Sequence, residues 1–89
     1  TLDQLQVLKY LDLSFNEIQD IFALQNLKHL LFLNLNNNKI ISCNWDNLTS
    51  LLKFTLCQNP LKEIFLKNST NLKYLNLSQT KCTVIELYN

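Results

Sequence analysis

Three cysteines and a single histidine are the side chains with which this chain could carry out redox, metal or acid–base chemistry. Cys43, Cys57 and Cys82 are an odd number, and their spacings match no zinc-binding or redox motif. His29 follows Lys28 at a polar position, where a solvated side chain is expected rather than an acid–base group. Scattered single residues form neither a Ser/His/Asp set nor a carboxylate pair. The sequence therefore predicts a chain that is not an enzyme and that binds no metal and no cofactor.

The charged residues argue against nucleic acid and membrane partners. The net charge is +1, from eight basic and seven acidic side chains, and every basic residue is a lysine. Surfaces that bind nucleic acid typically cluster basic residues and use arginine for bidentate phosphate contacts. The chain has no glycine, which removes the loops that hold nucleotide phosphates and leaves asparagine as the residue expected in left-handed turns. We expect no nucleic acid partner and no membrane insertion.

Three Asn-x-Ser/Thr sequons begin at Asn47, Asn68 and Asn76. They could carry glycans in a secreted protein. A chain this rich in asparagine is expected to contain such sequons by chance, so they are weak evidence for secretion. Asn76 also falls inside a predicted strand. Use of the sequons stays open, and the cytoplasm is favoured over an extracellular location.

One repeat motif occurs four times, at residues 8–18, 30–40, 51–61 and 72–82. The copies start about 22, 21 and 21 residues apart, which is the period at which one strand and one return segment form a coil. Apolar and polar residues alternate within each copy, as in Leu11, Asp12 and Leu13, and this alternation predicts a strand buried on one face. Equal spacing predicts that these strands stack in parallel.

The shared pattern L-x-x-L-x-L-x-x-N-x-L resembles the leucine-rich repeat family over nearly the whole chain. The first return is similar to the 22-residue class of phosphatase-1 regulatory subunits, and the later returns are similar to the 21-residue bacterial class. The 24-residue pattern of Toll-like ectodomains is not met. The resemblance implies an α/β fold: a right-handed leucine-rich-repeat solenoid with a parallel β-sheet on its concave face and short helical or extended returns on its convex face.

The return segments are expected to differ along the chain. Apolar residues at every third position predict one or two helical turns over residues 21–28, capped by Asp20. The returns at 61–66 and 82–87 repeat the strand spacing and are predicted to be extended. The middle return is intermediate, and Asp46 or Asn47 is expected to cap a single turn before Leu48.

Several residues in these segments are predicted to be structural. Cys43, Cys82 and Trp45 take the positions of core side chains on the return side. A ladder of turn asparagines is expected from Asn16, Asn38 and Asn59, because each follows a strand by the same number of residues and its amide can satisfy backbone groups. Thr80 replaces the fourth asparagine and leaves that turn less well satisfied.

The chain is interpreted as one domain, 1–89, of about four repeats at 8–29, 30–50, 51–71 and 72–89. Residues 1–7 are predicted to be the tail of a preceding repeat, because Leu2 and Leu5 continue the threefold spacing. The whole is expected to be part of a longer array.

The open face of the predicted sheet is the candidate binding surface, because the strand register points one set of side chains away from the core. The sequence predicts a non-catalytic module that binds a protein partner through this face. Two alternatives stay open: a structural spacer within a longer array, and a glycan- or peptide-binding ectodomain of a surface receptor or adhesin. Cys57 is expected on the same face as a free thiol. The predicted partner-binding residues are Tyr10, Asp12, Phe32, Asn34, Lys53, Thr55, Tyr74 and Asn76.

Overall fold

A computed structural model describes residues 7–88, which form a solenoid with a parallel sheet on each of two sides. The predicted tail of a preceding repeat lies, except for Val7, outside the described residues. The elements in chain order are β1 (Tyr10–Asp12), a 3-10 helix (Phe22–Asn26), β2 (Phe32–Asn34), β3 (Ser42–Asp46), β4 (Lys53–Thr55), β5 (Glu63–Lys67), β6 (Tyr74–Asn76) and β7 (Val84–Tyr88).

The four repeat motifs supply one sheet of four short parallel strands, in the order β1-β2-β4-β6. Its register aligns the central apolar residues Leu11, Leu33, Phe54 and Leu75. Leu33 and Phe54, on the two inner strands, are fully buried. The fold class predicted from the repeat period, a solenoid with one parallel strand per repeat, is confirmed.

The returns form a second parallel sheet, in the order β3-β5-β7. Extended returns were expected at β5 and β7, and both are strands. The turn predicted before Leu48 is wrong, because β3 continues as a strand through Asp46 and pairs with β5 over its whole length. Cys43 and Trp45 are buried while Ser42 and Asn44 are exposed, and this alternation favours an extended chain along β3. The turn follows Leu48 instead, where the Leu51 N–H donates to the Leu48 carbonyl at 3.2 Å.

The first return is helical, but only as a 3-10 helix from Phe22 to Asn26. The helical turns predicted over 21–28 are present as a 3-10 helix that is shorter than predicted at both ends. A 3-10 helix has three residues per turn, so the threefold apolar spacing places Ile21, Leu24 and Leu27 on one side. The Asp20 carboxylate accepts the N–H of Phe22, the first residue of the helix, at 3.0 Å. The residue at the N-cap position is nevertheless Ile21, one residue later than the predicted cap.

The core lies between the two sheets. Trp45 from the return side stacks on Phe54 from the other sheet, with ring centroids 5.1 Å apart. The Trp45 indole N–H donates to the Ile21 carbonyl at 3.0 Å, so this buried ring has its polar atom satisfied. Cys43 is fully buried, and Cys82 packs against the core at its open end.

Left-handed backbone recurs at one position of every coil, three residues after each strand of the four-stranded sheet. The residues at this position are Phe15, Asn37, Gln58 and Gln79, with φ between 56° and 58°. Asn47 and Asn68 take the same conformation just after β3 and β5. Asparagine was expected in such turns, but coil geometry also imposes this φ on a phenylalanine and two glutamines. Hydrogen bonds between coils offset the strain, as where the Phe15 N–H donates to the Asn36 carbonyl at 3.0 Å.

Candidate functional site

The solvent side of the four-stranded sheet forms a groove of about 580 Å³, hereafter the concave groove. The structure brings all eight predicted partner-binding residues to its wall. The lining residues are Tyr10, Leu11, Asp12, Phe32, Leu33, Asn34, Asn36, Lys53, Thr55, Tyr74 and Asn76. All four strands of the parallel sheet position them, the inner strands β2 and β4 with a neighbour on each side and the edge strands β1 and β6 with one.

Aromatic and basic side chains form the first column of the groove, one from each strand. Tyr10 stacks on Phe32 with ring centroids 4.9 Å apart and planes inclined by 15°. The Lys53 ammonium lies over the Tyr74 ring, 5.0 Å from its centroid. Both contacts hold these aromatic and basic side chains in place before any partner arrives. Tyr10 is 63% exposed and Tyr74 is 48% exposed, so much of this column is available for contact.

The second column of the groove contains Asp12, Asn34, Thr55 and Asn76. These side chains make more hydrogen bonds within the protein than the sequence predicts. Asp12, Asn34 and Asn76 each use a side-chain oxygen to accept the backbone N–H two residues later, at 2.9 Å. Thr55 is only 8% exposed, and its hydroxyl donates to the Asn34 side-chain oxygen at 3.3 Å. These side chains therefore close the turns after the strands. The Asp/Asn-x-Ser/Asn spacing that favours such turns is readable in the sequence.

Asn36 is a groove residue that was not among the predicted partner-binding residues. It lies two residues beyond Asn34, and its side-chain oxygen accepts the Cys57 N–H of the next coil at 2.7 Å. The bond ties two coils together at the rim of the groove. It also decides which end of the Asn36 amide is left for solvent.

The Asp12 carboxylate is the negative charge of the groove. The Ser14 hydroxyl donates to it at 2.6 Å and the Ser14 backbone N–H donates to the same oxygen. These two bonds, the hydroxyl first, lower the pKa of Asp12 below its ordinary value. Asp12 is therefore ionised at neutral pH.

The three turn asparagines occupy different environments. Asn38 and Asn59 are buried, and each amide donates to carbonyls of its own coil and of the preceding coil. Asn16 is exposed and donates to Leu13 and Ser14 within its own coil. Thr80 donates to the Leu77 carbonyl at 2.7 Å and makes no described bond to the preceding coil.

The three cysteines and the histidine are not among the residues that line the concave groove. Burial raises the pKa of the Cys43 thiol. Cys57 is half-buried beside the groove, His29 is exposed, and all three cysteines are free. Residues 7–88 contain no group of three or more His, Cys, Asp or Glu side chains that could hold a metal. Over the same range, no helix is long and apolar enough to cross a membrane.

A family model described as Leucine Rich repeats (2 copies) matches residues 6–50, just over half of the chain. This match spans β1 to β3 and so includes the first two strands of the concave groove. Comparison with curated proteins finds no matching relative. The remaining strands continue the same register, with Phe54 and Leu75 in line with Leu33. The chain belongs to the leucine-rich repeat family.

Proposed function

We propose that the chain is a non-catalytic protein-binding module whose partner docks in the concave groove. The observation that carries this proposal is the row of pre-positioned aromatic and basic side chains at Tyr10, Phe32, Lys53 and Tyr74. Aromatic side chains, including tyrosine, have few rotatable bonds and therefore lose little entropy on binding. They dominate many protein interfaces. A row of them on a rigid sheet favours protein recognition over a purely structural role.

The polar groups around this row support recognition rather than catalysis. Asp12 is held by Ser14, and the oxygens of Asn34 and Asn76 are held by backbone N–H groups. Amide oxygens are too weakly basic to act as general bases, and the lowered pKa of Asp12 makes its carboxylate a weak base at neutral pH. Oxygens already accepting backbone hydrogen bonds are better suited to holding the shape of a binding surface.

A partner is first captured by cross-linking through a photoreactive residue placed in the groove. The test then measures the binding of that partner to variants in which Tyr10, Phe32 or Tyr74 is changed to alanine. Each substitution is expected to weaken binding by about 1–3 kcal/mol, because these side chains contact the partner rather than the core. Stability should change little. Titration calorimetry and urea unfolding on the same variants separate the two quantities.

Two further variants serve as controls. Phe22→Ala removes an aromatic that is 68% exposed on the return side, and it should leave affinity unchanged. Leu48→Ala opens a core cavity and should cost about 2–4 kcal/mol of stability. Unchanged affinity in all three groove variants would favour the spacer function instead. A stability loss as large as that of Leu48→Ala would mean that the groove side chains serve the fold.

A further inference from the structure

Phe15 is the most exposed of the large apolar side chains in residues 7–88, at 78%. It also has left-handed backbone, with a φ of 58°. Left-handed backbone brings the Cβ atom close to a carbonyl oxygen, so a bulky residue is disfavoured there. The Phe15 N–H donates to the Asn36 carbonyl, but this bond uses only backbone atoms, which other residue types supply equally. The ring is not among the side chains that pack against the core, so it does not compensate for its own strain.

The equivalent turns of the other three coils carry amide side chains instead of an aromatic ring. These residues are Asn37, Gln58 and Gln79, with φ between 56° and 58°. Gln58 belongs to the third repeat, which has a coil on each side, and its side chain is nevertheless exposed. The exposure of Phe15 therefore follows from its position within the coil, and not from its place in the first coil. Folding by itself does not account for a phenylalanine at this position.

Phe15 lies at the rim of the concave groove. The carbonyl that accepts its N–H at 3.0 Å belongs to Asn36, which lines the groove. Beyond this rim, Phe15 lines a second depression of about 860 Å³ together with Asn37 and Gln58, hereafter the rim depression. Asn36 and Asn37 are consecutive residues, so the groove and the rim depression are continuous. A partner in the groove can reach the Phe15 ring without leaving the surface.

We propose that Phe15 is a second anchor of the partner-binding surface, so that a protein partner extends from the concave groove over the rim and packs an apolar side chain on the Phe15 ring. Exposed residues in disfavoured backbone conformations cluster at sites where function requires them. Natural binding sites also retain residues that lower stability, because affinity depends on them. The assignment rests on the proposed function and adds to it a contact outside the groove.

The amides beside Phe15 define the chemistry of the partner segment. The Asn37 NH₂ group donates to the Gln58 side-chain oxygen at 2.7 Å. The Asn37 oxygen and the Gln58 nitrogen meet no partner among residues 7–88, and together they match the N–H and C=O of a peptide group. Glu17 and Lys39 give the rim depression one charge of each sign. The segment is therefore an uncharged stretch of protein with an apolar side chain and accessible backbone.

The first part of the experiment measures urea unfolding midpoints of three variants. Phe15→Asn introduces the residue type of the next coil and should raise the midpoint, because asparagine tolerates left-handed backbone. Phe15→Tyr keeps both the ring and the strain, so the midpoint should not move. Gln79→Phe places an aromatic ring at the equivalent turn of the last coil and should lower the midpoint.

The second part measures affinity for the protein that is captured through a photoreactive residue in the concave groove. Phe15→Asn should weaken binding by about fivefold or more, although it stabilises the chain. Phe15→Tyr should retain binding. Phe22→Ala removes an exposed ring on the return side and should have no effect. Benzoylphenylalanine in place of Phe15 should cross-link the same protein, whereas benzoylphenylalanine in place of Phe22 should not.

The outcomes separate this proposal from the proposed function. Binding weakened by Tyr10→Ala but unchanged by Phe15→Asn would overturn the Phe15 anchor and leave the groove as the binding site. Binding unchanged by both would overturn both proposals, as would failure to capture any protein through the groove. A midpoint lowered by Phe15→Asn would show that the ring serves the fold and would overturn the anchor. Cross-linking from residue 15 to a second copy of the chain, or to a different protein, would also overturn it.

Discussion

The side chain of Asn59 connects two coils through bonds that no regular sheet could make. Its amide nitrogen lies within hydrogen-bond distance of the Leu35, Leu56 and Cys57 carbonyls, and its oxygen accepts the Ile40 N–H at 3.1 Å. The side chain is 3% exposed, so water cannot replace these bonds. Buried backbone groups left without partners cost far more than a surface hydrogen bond contributes.

Asn59→Ala is therefore expected to lower the free energy of unfolding by about 1–3 kcal/mol, measured from urea unfolding midpoints. Asn16→Ala is the matched control and should have a smaller effect, because Asn16 is exposed and bonds only within its own coil. Thr80→Asn should be neutral or stabilising, since an amide at residue 80 could accept the Leu61 N–H as Asn59 accepts that of Ile40. Equal midpoints for Asn59→Ala and the parent chain would contradict this role.

In the left-handed turns, the position within the coil outweighs the conformational preference of the single residue. Phe15 has a φ of 58° and a side chain that is 78% exposed, so local preference and burial both disfavour phenylalanine there. Its N–H nonetheless donates to the Asn36 carbonyl of the next coil. The position of the turn within the coil, rather than the residue type, decides the conformation.

At the scale of elements, paired strands with the same sequence pattern differ in how much they contribute to stability. Leu66 of β5 and Leu87 of β7 are register partners, yet Leu66 is 1% exposed and Leu87 is 57% exposed. The strand β5 has a neighbour on each side within the sheet, whereas β7 has one. In a solenoid each coil is buried by the adjacent coils. The same residue type therefore contributes more to stability in an inner coil than in an outer one.

Leu66→Ala is expected to cost about 2–4 kcal/mol, because it opens a cavity in a core that cannot fully relax. Leu87→Ala removes the same atoms from a position already in contact with water and should cost less than about 1 kcal/mol. Chemical unfolding of the two single variants tests the difference. Similar losses would mean that β7 is buried in solution, by association of copies or by another route, and a concentration-dependent midpoint would identify the first of these.

For the whole molecule, the burial of each coil depends on the coils stacked against it. The open side of β6 and β7 exposes Ile85, Leu87 and Tyr88, each between 45% and 57%. The register partners of Ile85 and Leu87, which are Ile64 and Leu66, are buried. An added coil of the same pattern would cover these side chains and pair the free edges of both strands.

Fusion of one consensus leucine-rich coil after residue 89 is therefore expected to stabilise the chain by about 2 kcal/mol or more, from burial of two or three apolar side chains. Thermal and urea unfolding of the extended chain measure the gain. A matched fusion whose inward leucines are changed to aspartate should give no gain. No stabilisation by the leucine version would show that the coils do not extend in the observed register.

The sequence alone determined the repeat period, the strand of each repeat and the side of the sheet that each residue faces. These follow from local periodicity, because strand side chains alternate and stacked repeats share one register. Tyr10, Phe32, Lys53 and Tyr74 hold the same position in the four repeats, so the pattern places them on the same side of the sheet, and they line one groove.

Only the tertiary structure decided which of those side chains are free. Thr55 was predicted to contact a partner but is buried between neighbouring strands, and the oxygens of Asn34 and Asn36 are held by groups brought close by folding. The extended middle return likewise depends on pairing with β5, a distant segment. Burial and hydrogen bonding between coils depend on which residues the neighbouring coil presents, and periodicity within one repeat does not contain that information.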